Sequence, residues 1–130
     1  TSQSQTVTNN GSTTAYPKFV FKRSGGTTAR LEYIKNETTG DTLWLNYSLL
    51  IGETLTIDLT PGNKTITSDF FGNVIGRALL PNSDFATFGL LPGANTISIY
   101  NYETGGPTMT AYLLFQAPYM RQPQPEYYIY

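Results

Sequence analysis

The stretch 52–67, GETLTIDLTPGNKTIT, sets the strongest limit on how this chain folds. Leu55, Ile57 and Leu59 alternate with Thr54, Thr56 and Asp58, the period-two pattern of a strand with one buried face. Thr60-Pro61-Gly62-Asn63 then turns the chain, and Ile66 resumes the apolar side on the way back. Proline presets φ for the turn, and glycine supplies the positive φ that a type II turn or a bulged three-residue loop needs. The device recurs at 90–100, LLPGANTISIY. No stretch sustains helical periodicity beyond about three turns.

The same reading extends along the chain. Strands are expected at 15–22, 30–36, 42–48, 53–59, 63–68, 95–102 and 108–117, with a further short one at 74–80. Ser24-Gly25-Gly26 and the 37–41 stretch ETTGD supply turns between them. Pro17 has no N–H for a ladder, so it belongs at a strand start or on an edge. Eight or nine short strands of this kind predict an all-β fold, a two-sheet antiparallel β-sandwich of jelly-roll type. Residues 1–14, polar apart from Val7, are expected to be a flexible lead or linker, 15–117 the sandwich domain, and 118–130 a Pro/Tyr-rich C-terminal extension that lies on this domain or a neighbour. Phe70-Phe71 is expected to fill the core.

Several function classes are excluded. The net charge is −1, so a nucleic-acid partner lacks its usual source of affinity. Histidine and cysteine are absent, which removes the commonest general base, thiol nucleophiles and most zinc sites. A glycosidase needs two facing carboxylates, and nothing local pairs them. No catalytic residue, metal site or cofactor is expected. Asp58, just before its turn, is expected to accept a turn N–H rather than hold a ligand or metal. Asp69, Asn73, Asn82 and Asp84 lack the spacing of a calcium loop. There is no apolar run of transmembrane length and no signal-peptide pattern, so no membrane insertion is expected.

Aromatic residues are the candidate binding signal. In 42–48, TLWLNYS, Leu43, Leu45 and Tyr47 share one face and Trp44 falls on the other; in 95–102, NTISIYNY, Tyr100 and Tyr102 oppose Ile97 and Ile99. On an exposed face, Trp44, Tyr100 and Tyr102 present rings that stack on sugars or anchor protein contacts. The other placement for Trp44 is beneath a loop or the C-terminal tail.

The order of pieces resembles a known family. NETTGDTLWLNYSLLIGETLTIDLTPGNKTIT, then NSDFATFGLLPGANTISI and a closing strand ending in QAPYMR, is similar to the C-terminal domain of siphophage distal tail proteins, over about residues 15–121. The resemblance implies a galectin-like or carbohydrate-binding-module-like sandwich, projecting from a hexameric ring at the tail tip or baseplate. It implies a structural and host-adhesion role without catalysis, in the virion, with other tail-tip proteins and host envelope polysaccharide as partners. The ring belongs to a separate N-terminal domain that this sequence lacks, so an oligomer is expected only through that domain. Gly52, Glu53, Leu55, Ile57 and Asp58 match the family's motif strand, Ser83, Asp84 and Phe85 its S-D-F segment, and Leu91, Pro92, Gly93, Asn95 and Thr96 its last turn; all are implied to be framework. The other reading of the chain is a stand-alone carbohydrate-binding module.

Overall fold

The computed structural model describes residues 2–106, 109–115 and 127–128. Two antiparallel sheets pack face to face. In chain order the strands are β1 (Ser2–Asn9), β2 (Lys18–Arg23), β3 (Thr28–Asn36), β4 (Thr42–Ser48), β5 (Thr54–Asp58), β6 (Thr65–Ser68) and β7 (Gly72–Asn73). A one-turn helix α1 (Ile75–Ala78) follows, then β8 (Gly93–Thr104), β9 (Met109–Leu114) and β10 (Tyr127–Tyr128). One sheet has the order β1-β8-β3-β4. The other runs β9-β2-β5-β6-β7, with the two-residue β10 added beside β9.

Alternation along each strand drives the two sheets together. Phe19, Phe21, Leu55, Ile57, Ile66 and Leu113 from one sheet, and Leu31, Ile34, Leu43, Ile97 and Ile99 from the other, are essentially without solvent exposure. Phe88, on the connection into β8, meets Phe19 edge-on at 5.8 Å and closes the core between them. The hairpin β5–β6 forms as its sequence demands. The Asn63 N–H bonds the Thr60 carbonyl at 2.9 Å, and Gly62 takes φ +80°, the type II arrangement.

Three expectations are corrected. Residues 2–9 are not a flexible lead; they form β1, paired with β8 from Ser2↔Tyr100 to Asn9↔Gly93. Backbone pairing holds this polar strand, and among its described side chains only Val7 and Asn9 are buried. The segment 74–80 is a helical turn, because Val74 and Ala78, four apart, are its buried residues. Phe70 and Phe71 do not fill the core; they are exposed on the β6–β7 turn. Of the expected C-terminal extension, Tyr127 and Tyr128 pair with Leu113 and Tyr112, and the remainder lies outside the described residues.

Candidate functional site

The outer face of the four-stranded sheet carries the aromatic residues. On β4, Leu43, Leu45 and Tyr47 turn inward, which leaves Trp44 outward and 43 % exposed. On β8, Ile97, Ile99 and Asn101 turn inward, which leaves Tyr100 and Tyr102 outward, 38 % and 48 % exposed. The strand between them, β3, supplies a ring the sequence pattern missed. Tyr33 pairs with Trp44 on one side and Tyr100 on the other. Its ring lies 5.4 Å from Trp44, edge-on, and 5.5 Å from Tyr100, within 9° of parallel. Three neighbouring strands thus place three rings in one row.

Tyr33 escaped notice because β3 shifts register between Leu31 and Tyr33. Leu31 and Ile34 both point inward although they are three apart, which turns Tyr33 outward. That Leu-x-x-Ile spacing was the available signal: a strict two-residue period places Tyr33 beside Leu31 in the core. One row further along, Arg30 lies 5.2 Å over the Tyr102 ring and donates to Glu32 Oε1 from Nε and Nη2 at 2.9 and 2.7 Å. The face therefore offers apolar rings beside a guanidinium–carboxylate pair.

Other motif residues hold this face in place. Ser83 Oγ accepts the Trp44 N–H at 2.8 Å and stands 3.1 and 2.9 Å from the Trp44 and Leu80 carbonyls. Asp84 Oδ2 accepts the Thr42 N–H at 2.9 Å, and the Asp84 N–H bonds the Thr42 carbonyl at 2.8 Å. The 80–84 segment thus covers the outer edge of β4. Phe85 packs partly buried against the core. Asn95 closes the turn after Pro92 through Leu91: its Oδ1 accepts that N–H at 3.0 Å and its Nδ2 donates to that carbonyl at 2.8 Å. Gly93 takes φ +94°, where a side chain would be strained.

The motif strand, β5, lies inside the other sheet, between β2 and β6. Gly52 takes φ +85°, and Leu55 and Ile57 are fully buried. Glu53 has no solvent exposure. Its Oε2 accepts the hydroxyls of Tyr47 and Ser68, both at 2.5 Å, and its Oε1 the Leu50 N–H at 2.8 Å. Burial first, and then the Glu53 hydrogen bond, raise the Tyr47 pKa. Asp58 Oδ1 accepts the Thr60 N–H at 2.9 Å, the turn bond expected of it. Nearby, burial lowers the Lys64 pKa, with Asp58 opposing. Among the described residues, no three His, Cys, Asp or Glu side chains group as metal ligands do.

A family model described as the siphovirus-type tail component, C-terminal domain, matches residues 10–112. No curated protein and no solved structure matches the chain.

Proposed function

The chain belongs to the siphovirus-type tail component family as its C-terminal domain, and from that premise we propose that it is a non-catalytic adhesion module at the tail tip. The outer face of its four-stranded sheet makes the contact with host envelope polysaccharide. The observation that carries this reading is the row Trp44–Tyr33–Tyr100, with Trp44 and Tyr100 exposed and Tyr33 half-buried between them, on a sheet whose other face is committed to the core. Rings of this kind stack against the C–H faces of sugars, while Arg30 and Glu32 stand where hydroxyl groups need partners. A single shallow face of this kind binds weakly. Several copies displayed on one tail tip hold a surface through avidity.

Trp44 is the only tryptophan, so its fluorescence reports on this face alone. Titration with the host's envelope polysaccharide should shift that emission. Trp44→Ala should then weaken binding by about 1–3 kcal/mol. Unchanged emission at saturating polysaccharide, or full affinity in the alanine variant, would remove the adhesion role and leave the tail-component assignment standing.

A further inference from the structure

A second surface lies at the end of the sandwich where β4 passes to β5 and β6 turns into β7. Leu50, Ile51, Phe70 and Phe71 are each between 49 % and 59 % exposed there. They form one patch. A Cβ placed on Gly52 would stand 3.7 Å from Phe70 Cζ, so that ring rests on the 51–52 turn. Phe71 meets Phe70 edge-on at 6.2 Å. Contiguous apolar surface of this kind marks contact sites on soluble proteins.

The patch is also fixed from beneath. Glu53 Oε1 holds the Leu50 N–H, and Oε2 holds the Ser68 hydroxyl. Ser68 Oγ in turn accepts the N–H groups of Phe70 and Phe71 at 3.0 and 3.2 Å. One buried carboxylate thereby ties both loops together, although burying a carboxylate is unfavourable in itself. Loops held in one shape lose little freedom when a partner docks. An exposed cation stands at the patch. The Arg77 guanidinium lies 5.2 Å over the Phe71 ring and 5.9 Å from the Tyr47 ring, and it makes no ion pair among the described residues. Asp69, beside the patch, is engaged by the Thr54 N–H at 2.8 Å.

We propose that this end docks another tail protein, through apolar side chains that cover Leu50, Ile51, Phe70 and Phe71 and a carboxylate that meets Arg77. The inference rests on membership of the tail component family and is independent of sugar binding by the aromatic row.

The test is photo-crosslinking in assembled tails, with benzoylphenylalanine at position 51 or 71 and, as control, at position 64 on the opposite turn. The expected adduct joins 51 or 71 to a different tail protein, on a peptide that contains Asp or Glu. Arg77→Glu should lower the yield about tenfold with the circular dichroism spectrum unchanged. Adducts only with a second copy, only with lipid or glycan, or no more adduct than at position 64, would each overturn the proposal. So would an undiminished yield in the Arg77→Glu protein.

Discussion

Tyr47 shows how much one hydroxyl can carry in this molecule. Its ring is buried in the core and its hydroxyl is one of the three donors on the Glu53 carboxylate. Tyr47→Phe keeps the ring and removes the donor, which should cost about 1–3 kcal/mol at neutral pH. Alkaline pH should expose the same contact. The folded-state pKa of Tyr47 is raised above 10.0, so its contribution is intact below that pH and is lost as pH climbs through the folded value. The depressed pKa of Lys64 acts in the opposite sense over alkaline pH, and the difference between parent and Tyr47→Phe removes it. Urea unfolding at a series of pH values should show the two proteins converging in stability above pH 10. A gap that stays constant with pH would mean that Tyr47 ionises as freely in the fold as in the unfolded chain.

At the scale of the element, β4 depends on a segment that is not a strand. Ser83 and Asp84 occupy its outer edge as a neighbouring strand would. Ser83→Ala should destabilise the fold by only about 1 kcal/mol. Amide exchange at Trp44 should rise far more than that global loss explains, and equal effects throughout β4 would deny Ser83 this local role. The limits of β4, 42–48, were legible because alternation is regular and both ends carry turn signals. The outward placement of Trp44 was legible for the same reason. Tyr33 was not, because a register shift in β3 breaks the parity from which faces are inferred. Helix α1 was hidden by its length: one turn holds a single four-residue spacing, Val74 to Ala78, too short to stand out as a period. Phe70 and Phe71 misled because hydrophobicity reads as core, whereas their backbone is bound to a turn that faces outward.

At the scale of the whole molecule, the sandwich extends past the residues that the family model matches. The match begins at residue 10, yet β1 lies before it and covers β8 along eight paired residues. Deleting residues 1–9 should bare that edge, remove Val7 from the core and produce concentration-dependent association, seen by light scattering, with a lower melting temperature. A truncated chain that stays monodisperse with an unchanged melting temperature would make β1 dispensable. The pairing of β1 also gives the domain a mechanical direction. Ser2 sits opposite Tyr100, in the aromatic row, while Asn9 sits at the far end opposite Gly93. A pull on Ser2 at right angles to the sheet peels the pairs apart one after another, starting beside the aromatic row. A pull along the strand loads all eight pairs together. The domain is thus a fastener that holds under shear and yields to peeling.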